Sequence, residues 1–582
     1  MSLSLSLKEE LQKTVQGEVN DTPALLEQFS HDASLYMIWP EVVVRPKDAE
    51  DVCRVVRLVN EQIKARGDTS QSRGLTSRPK PLSIVARSAG TDMSGGPLGN
   101  SIVLDMTAHF SHILSVDSDP HAPGEDALAG LAWVEPGVYF RDFDKKTQEK
   151  TLELPSYTAS RELNTVGGMV ANNSGGEKNL NYGKTARYVE ELEMVLSDGQ
   201  VHTFKNLSGD ELKNKLEEAG FEGDLYRKVS ALLKNHTQII EEHKPKVEKN
   251  SSGYALWDMG DGVESLNLAR LMVGAQGTLG IITKIKFKLL RPKPYSAMVV
   301  MFLSNLSELG ELVPQVLMSK PDSFESYDDN TFKLAAKYWP EFAVQMKAGI
   351  FSLGLSFLPE VWMMLTGGMP KLVLLAEFCA DSQEEALKKA FDLADEIEET
   401  QPHIRVRVAE SKEAAKKYWV IRRESFSLLR KKVRGKRTAP FIDDFVVPPA
   451  CLPEFLPKLQ EILSHYDLMY TVAGHVGDGN FHIIPLVDPK SLETARIIDE
   501  LSHKVYDLVL AYNGSITGEH NDGLVRTPYV EKMFGPEMYA LFLEIKKIFD
   551  PHNIFNPGKK VGLTFSDALS HLDLPKGKPP QL

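Results

Sequence analysis

The stretch that decides the fold is Thr165-Val-Gly-Gly-Met-Val-Ala-Asn-Asn-Ser-Gly-Gly176, which places four glycines among small polar residues. Glycine has no side chain and tolerates positive φ, so backbone N–H groups can converge on a phosphate. Two more glycine-rich passages flank it, Arg87-Ser-Ala-Gly-Thr-Asp-Met-Ser-Gly-Gly96 and Leu271-Met-Val-Gly-Ala-Gln-Gly-Thr-Leu-Gly-Ile-Ile-Thr283. Three such loops near strands favour a cofactor cleft over simple turns in a β-rich fold.

Several classes of function are excluded by pattern and composition. No loop has the spacing G-x-x-x-x-G-K-[ST], or G-x-G-x-x-G between a strand and a helix, so nucleotide hydrolysis and a nicotinamide cofactor are not indicated. The net charge of −13 argues against sequence-independent nucleic-acid binding. Three widely spaced cysteines exclude a disulfide framework, an iron–sulfur cluster set and a cysteine zinc site, and suit a reducing compartment.

Alternating and amphipathic patterns predict an α+β chain. A strand before Pro46 leads into a helix capped by Asp48, and a proline-marked boundary lies at Arg291-Pro-Lys-Pro294. Further elements are predicted at Leu82–Ala86, Ser101–Asp105, Leu131–Glu135, Lys284–Leu290, Ala297–Leu303, Leu372–Phe378 and the helix Ser382–Thr400. We divide the chain into a helical extension (1–35), a cofactor domain (36–293), a second α+β domain (294–515) and a C-terminal segment (516–582).

A second motif carries chemistry, Ala473-Gly-His-Val-Gly-Asp-Gly-Asn-Phe-His482 with Gly518-Glu-His-Asn-Asp-Gly523. A two-residue turn at Asp478-Gly479 would put His475 directly across from His482. The two imidazoles and Glu519 would then form a three-ligand metal site with one open position, as in catalytic zinc sites. His520 would remain free as a base. The alternative is two ordinary hairpin histidines and an unrelated Glu-His pair.

Three further segments bear on location. The N-terminus has no basic start followed by an apolar core, so we expect no signal peptide. Ala348 to Pro370 has the length of a membrane span, but Pro359-Glu360 interrupts it, which favours a buried core or a contact patch. The basic run Arg430 to Arg437 is either a solvated loop or a docking site for an acidic partner or an anionic membrane. We expect a cytoplasmic protein, with peripheral contact to the inner face of a membrane as an alternative.

The order of these motifs, from about 36 to 561, resembles flavoproteins of the vanillyl-alcohol-oxidase type. Within them it is similar to the group of D-lactate and D-2-hydroxyglutarate dehydrogenases and glycolate-oxidase subunits. The resemblance implies a two-subdomain FAD-binding domain, an α+β cap domain and a C-terminal helical return. The three loops resemble the segments around the FAD pyrophosphate, along the flavin and at the adenine end. Asn556-Pro-Gly-Lys559 resembles the return over the isoalloxazine ring.

The resemblance also implies individual cofactor residues. Non-covalent FAD is expected, since Ser88, Ala89 and Thr91 stand where covalently linked relatives often carry a histidine. The expected FAD-binding residues are Arg87, Ser88, Ala89, Gly90, Thr91, Asp92, Ser94, Pro155, Thr165, Gly167, Gly168, Ala171, Asn172, Ser174, Gly175, Gly277, Ile281, Ile282 and Asn556.

The resemblance assigns the metal motif as well. His475, His482 and Glu519 resemble the family's ligands for zinc, with manganese or iron as alternatives, although Asn521 replaces the usual glycine after Glu-His. Arg422 is expected to hold the substrate carboxylate, with Arg423 as the less favoured register. The dehydrogenases specific for 2-hydroxyglutarate carry a lysine for the distal carboxylate near the position that Ile442 occupies here. The isoleucine at this position favours a monocarboxylate substrate.

The implied reaction is oxidation of a D-lactate-like D-2-hydroxy acid to the 2-oxo acid. His520 would take the hydroxyl proton while FAD accepts the hydride. Similar long oxidoreductases carry a C-terminal cysteine-rich iron–sulfur module, and this sequence stops at Leu582 without one. We therefore expect electrons to pass to a separate acceptor, which could be a quinone, a cytochrome, an electron-transfer flavoprotein or an iron–sulfur protein. Alternatives are a D-2-hydroxyglutarate dehydrogenase, a glycolate-oxidase flavin subunit, a same-fold enzyme such as an aryl-alcohol oxidase, and a non-catalytic flavin subunit. A homodimer is compatible with the sequence.

Overall fold

The structure is a computed structural model that describes residues 6–67, 81–119, 128–329, 331, 333, 368–432, 435–491 and 493–574. Helices and strands alternate throughout this part of the chain, and the strands form three sheets of four or more members. The predicted α+β class is therefore confirmed.

The first sheet grows from the strand–proline–helix unit predicted before residue 60. Its strands are β1 (Glu18–Asn20), β2 (Val42–Arg45), β3 (Ile84–Arg87) and β4 (Ile102–Asp105), in the order β1-β2-β4-β3. The helix Ala49–Gly67 packs valines onto this sheet, and Asp48 Oδ1 accepts the Asp51 amide at 3.0 Å, as expected of a cap. Because β1 pairs with β2, the segment predicted as an N-terminal extension is part of this subdomain.

The second sheet lies behind the glycine loops. Its strands are β5 (Ile113–Ser118), β6 (Gly130–Val134), β7 (Val189–Val195), β8 (Val201–Phe204) and β11 (Ile281–Leu289), with β9 (Asn206–Ser208) and β10 (Ser265–Asn267) forming a separate pair. The order β5-β6-β11-β7-β8 is antiparallel throughout. Its helices are Phe140–Gln148, Val166–Asn172, Asn179–Tyr182, Gly209–Glu217, Phe221–Asn235, Thr237–His243 and Leu268–Met272.

The third sheet forms the second domain. Its strands are β12 (Tyr295–Leu303), β13 (Ser323–Asp328), β14 (Leu372–Ala380), β15 (Arg405–Ala409), β17 (Phe445–Val446), β18 (Val472–His475) and β19 (Asn480–Ile483), with β16 (Arg437–Thr438) and β20 (Leu486–Val487) paired beside it. The order is β15-β12-β14-β13-β18-β19-β17. The helices are Leu309–Met318, Gln383–Thr400, Lys412–Lys432, Leu452–Ser464 and Glu493–Ala511.

The C-terminal segment returns to the first two sheets. Its helices are Gly523–Arg526, Val530–Phe549 and Phe565–Ser570, and the second is kinked at Gly535. Phe555 then forms a bridge to Ile84, beside the first glycine loop. Most of the apolar stretch from 348 to 370 falls outside the described residues. Among the helices that the structure describes, none is long and apolar enough to cross a membrane.

Candidate active site

The three glycine loops meet at one cleft. The empty space between its walls is about 1320 Å³, including the part that is open to solvent. Of the predicted cofactor residues, the structure brings the following to its wall: Ser88, Ala89, Gly90, Thr91, Asp92, Thr165, Gly167, Gly168, Ala171, Asn172, Ser174, Gly175, Gly277 and Ile282. Glu519 and His520 line the same cleft, so the two sequence motifs face one space.

Five predicted cofactor residues do not line this cleft: Arg87, Ser94, Pro155, Ile281 and Asn556. Three of them brace the loops from behind. Arg87 donates to the Phe29 carbonyl at 3.1 Å, and Ser94 donates to Asp92 at 2.7 Å. Asn556 donates to the carbonyls of Gly96 and Gln276 at 2.9 and 2.7 Å and so ties the first loop to the third.

Other lining residues escaped the sequence analysis, notably Thr158, Ser160, Asn164 and Gln276. The first three lie just before the second glycine loop, in a polar stretch that itself signals a binding loop. Nothing about Gln276 distinguishes it locally. Its role depends on tertiary contacts, since its side chain bonds to Ser94, Asn172 and the Gly523 amide.

The cleft fits a flavin dinucleotide because it is walled by backbone and small side chains. A Cβ on Gly167 would lie 2.4 Å from the Pro136 side chain, and one on Gly176 would lie 2.1 Å from the Tyr157 carbonyl. Only glycine permits these approaches. Asn164 lines the cleft, and its buried Oδ1 has no hydrogen-bond partner among the described residues.

The histidine hairpin differs from prediction in register. His475 pairs with Asn480 and His482 pairs with Ala473, because a four-residue loop closes the hairpin. The predicted two-residue turn at Asp478-Gly479 is therefore wrong. A 3-10 turn over Val476–Asp478 followed by Gly479 at φ +69 adds two residues. Since a shift of two keeps side chains on one face, His475 and His482 still meet diagonally, with ring centroids 5.4 Å apart.

Buried carboxylates hold one nitrogen of each of three rings. His475 Nδ1 lies 2.5 Å from Glu325 Oε1. Asp443 bridges the other two rings, with Oδ1 3.2 Å from His482 Nδ1 and Oδ2 2.7 Å from His520 Nδ1. Carboxylate–histidine pairs of this kind fix the ring orientation at metal sites and raise ligand basicity. The sequence analysis missed Glu325 and Asp443, which lie on distant strands or loops.

The other ring nitrogens all point at one atom, Glu519 Oε1. The distances from the Nε2 atoms are 3.1 Å for His482, 3.4 Å for His475 and 3.8 Å for His520. Ligands of a tetrahedral zinc with bonds of ~2.0–2.1 Å lie roughly 3.3 Å apart. The first two distances fit this value and the third exceeds it. Ligand atoms of Asp444, His482, Glu519 and His520 all lie within 4.8 Å of one another, so this group could hold a divalent ion. Of the three predicted ligands, His482 and Glu519 belong to the group, whereas His475 contacts Glu519 but is not part of it.

Two more charged residues, Asp444 and Lys249, contact Glu519 or its backbone. Asp444 belongs to the candidate metal group, and its oxygens also accept from Thr517 Oγ1 and from the amides of Glu519 and His520. These hydrogen bonds fix the backbone that carries Glu519 and His520. The second oxygen of Glu519 lies 3.2 Å from the fully buried Lys249 Nζ.

Electrostatics of the cluster favour bound cations. Burial disfavours the charged ring of His482, but Asp443 and Glu519 outweigh it and raise its pKa to about 10. Against the same burial, His520 and His482 hold the pKa of Asp443 well below its usual range, and Lys249 and His475 do so for the pKa of Glu519. A divalent cation would replace the ring protons, because metal ligation requires neutral imidazole.

The two candidate arginines have different partners. Arg422 pairs with Glu325, the carboxylate that also holds His475, so it is tied to the histidine cluster. Arg423 pairs instead with Glu177, beside the second glycine loop. Neither arginine lines the flavin cleft. Ile442 packs in the core of the second domain and does not line the cleft, so it carries no information about a second carboxylate.

Comparison with known proteins agrees with this geometry. Residues 40–205 match the model of the FAD binding domain family, and residues 293–560 match that of the FAD linked oxidases, C-terminal domain. A D-2-hydroxyglutarate dehydrogenase of Pseudomonas putida is 27% identical over 551 residues, 94% of this chain and 50% of that protein. The chain thus spans about half the length of this relative.

A D-lactate dehydrogenase of Archaeoglobus fulgidus is 27% identical over 520 residues, covering 89% of this chain and 91% of that protein. Among solved structures, the 4-ethylphenol oxidase from Gulosibacter chungangensis aligns with a TM-score of 0.63 and 15% identity, over 95% of this chain and 96% of that chain. That likeness concerns the fold alone. The two domain matches show that the chain is built as an FAD-linked oxidase, with an FAD binding domain at 40–205 followed by the C-terminal domain of the FAD linked oxidases at 293–560.

Proposed function

We propose that the protein oxidises a D-2-hydroxy acid to the corresponding 2-oxo acid. The observation that carries the proposal is the meeting of three histidine Nε2 atoms and Glu519 at a point that shares a cleft with the glycine loops. The reaction of an aryl-alcohol oxidase or of a synthase of the same fold does not require this group of histidines and a glutamate. The names of the relatives, which include D-lactate and D-2-hydroxyglutarate dehydrogenases, agree with it.

The residues that would hold the two groups are those already described. The cleft residues would bind FAD without a covalent bond, and His475, His482 and Glu519 would bind the divalent ion, zinc being our first choice. Bound FAD supplies the two-electron oxidant for the C2 hydrogen, and the ion supplies a Lewis acid for the hydroxyl.

His520 is our candidate for the base. Its Nε2 faces the same point as the ligand atoms, and its Nδ1 contacts Asp443 at 2.7 Å, which would stabilise the imidazolium formed when the ring takes the hydroxyl proton. Burial lowers the pKa of His520, yet Asp444 and Asp443 raise it overall. The two carboxylates thus favour the imidazolium, which is the form of the ring after it has accepted the proton.

Arg422 is our candidate for the carboxylate anchor. Its side chain is 8% exposed and paired with Glu325, so its guanidinium is held near His475 rather than in solvent. Because Ile442 is buried in the core, it is evidence neither for nor against a dicarboxylate substrate. We therefore propose the D-2-hydroxy acid class, with D-lactate and D-2-hydroxyglutarate as two arms of the test. Electrons would pass to a separate acceptor.

The experiment is anaerobic reduction of the purified flavoprotein by a panel of D- and L-2-hydroxy acids. We expect bleaching of the flavin absorbance by D acids and not by L acids. A protein that binds FAD and metal but is bleached by no member of the panel would overturn the proposal.

His520→Ala separates the base from the ligands. We expect kcat to fall roughly 10²–10⁴-fold with metal content unchanged. Metal loss in parallel with activity would make His520 a ligand instead.

A further inference from the structure

One ion pair joins the flavin loop to the second domain. Arg423 Nε donates to Glu177 Oε2 at 3.0 Å, and Arg423 Nη2 donates to Glu177 Oε1, so the pair is bidentate. Tyr157 Oη donates to the same carboxylate at 2.9 Å. The Arg423 guanidinium also lies over the Trp419 ring, 4.6 Å from its centroid. Planar, two-bond contacts of this kind fix orientation as well as distance.

Glu177 is the buried partner of this pair. Its side chain is 8% exposed, whereas that of Arg423 is 30% exposed. Burial alone would raise the pKa of Glu177, but Arg423 lowers it to about 2, so the carboxylate is ionised at neutral pH. A buried carboxylate such as Glu177 loses much of its hydration, and apolar residues of similar size often stabilise a fold equally well. Stability alone therefore does not account for an ion pair at this position.

Both partners sit next to functional residues. Glu177 follows Gly175 and Gly176, and a Cβ on Gly175 would lie 3.5 Å from Glu519 Oε2. Arg423 follows Arg422 on the helix Lys412–Lys432. The pair therefore links the loop beside the flavin and Glu519 to the helix that carries the proposed carboxylate anchor.

We propose that the Arg423–Glu177 pair is a positioning clasp, which sets the distance between Arg422 and the flavin cleft. This role rests on the proposed function, because Arg422 is taken as the carboxylate anchor. Arg423 and Glu177 are positioning residues and need not touch the substrate. A small displacement of a positioning helix is enough to weaken binding of a reactant in its productive geometry.

The test uses the flavoprotein with its metal and the variants Arg423→Gln, Glu177→Gln and the double variant. We expect each single variant to keep FAD and metal but to raise KM at least tenfold, with a smaller change in kcat. The dissociation constant of the 2-oxo acid, measured by flavin absorbance, should rise in parallel. Hydrogen exchange of the helix Lys412–Lys432 should become faster.

The double variant provides a second criterion. It removes both charges, so no unpaired buried charge remains. The fold increase in KM of the double variant should therefore be smaller than the product of the fold increases of the two single variants. Lys286→Gln is the matched control, since Lys286 pairs with Glu191 at 2.6 Å across two strands of one sheet. It should leave KM and helix exchange unchanged.

The outcomes separate the two proposals. A wild-type protein that is bleached by D-2-hydroxy acids, with clasp variants that bind the 2-oxo acid normally, would overturn the clasp alone. The clasp would also be overturned if the fold increases in KM multiplied in the double variant, or if Lys286→Gln raised KM as much as the clasp variants do. A wild-type protein that no D-2-hydroxy acid bleaches would overturn the proposed function and, with it, the role of the clasp in substrate binding.

Discussion

The flavin cleft and the histidine cluster are built in opposite ways. The cleft uses backbone and small side chains, and its glycines are fixed by close approaches such as that of Gly167 to Pro136. The cluster uses long polar side chains, each held from behind by a buried charge such as Asp443 or Lys249. Damage to the cleft should therefore act through shape, and damage to the cluster should act through charge and orientation.

The largest effect should follow loss of a metal ligand. His482→Ala, or removal of the ion by a chelator, should reduce turnover to background because the hydroxyl loses its Lewis acid. FAD should remain bound, since His482 does not line the cleft of the glycine loops. Flavin content and metal content of the same sample test this. Full activity in metal-free protein would make these histidines structural.

Two adjacent carboxylates sharpen the comparison. Asp443→Asn keeps the shape but removes the charge that orients His482 and His520, so kcat should fall roughly 10²–10⁴-fold in a folded protein. Asp444→Asn replaces the charged acceptor of two backbone amides with a neutral amide and should instead lower the free energy of unfolding by about 1.5–3 kcal/mol. Steady-state kinetics and urea unfolding of both variants distinguish these roles. Equal kinetic losses without a stability difference would contradict the division.

Adjacent glycines test the cleft. Gly167→Ala brings a methyl group 2.4 Å from Pro136, so it should cost about 1–3 kcal/mol of stability with or without FAD. Gly168→Ala meets only the Thr165 hydroxyl at 3.4 Å, so apo stability should hardly change. Any effect of Gly168→Ala should appear in the dissociation constant for FAD. Denaturant unfolding of the two apoproteins decides this, and equal stability of both would argue against steric control.

The smallest effect concerns a histidine that uses both nitrogens. His202 lies between Asp198 and Glu222, at 2.9 and 3.1 Å. Burial lowers the pKa of His202, but the two carboxylates raise it to about 9. Because the folded pKa exceeds the unfolded one, this stabilisation is complete below ~pH 6.5 and is lost as the pH rises through about 9.

His202→Gln should therefore lower stability by on the order of 1–2 kcal/mol at pH 6, after allowance for solvent screening, and by much less at pH 10. Urea unfolding of wild type and variant between these pH values measures the difference. A constant difference across this range would show that the ring contributes through packing alone. Flavin and metal binding should not change, since His202 lies apart from both.

What the sequence determined by itself was the set of local signals. The glycine loops, the strands around them and the His-x6-His and Glu-His motifs could be identified because local backbone preference and residue chemistry are encoded in short segments. The α+β class and the FAD-linked family were predicted and confirmed.

What only the tertiary structure decided was which side chains meet. Glu325, Asp443, Lys249 and Gln276 lie far apart in the chain, and nothing local indicates that their atoms surround two motifs. The four-residue hairpin loop is also tertiary: Gly479 adopts φ +69 where a Cβ would strike the Val447 carbonyl, at 1.8 Å. That contact comes from another segment, so the sequence of the hairpin predicted the shorter turn.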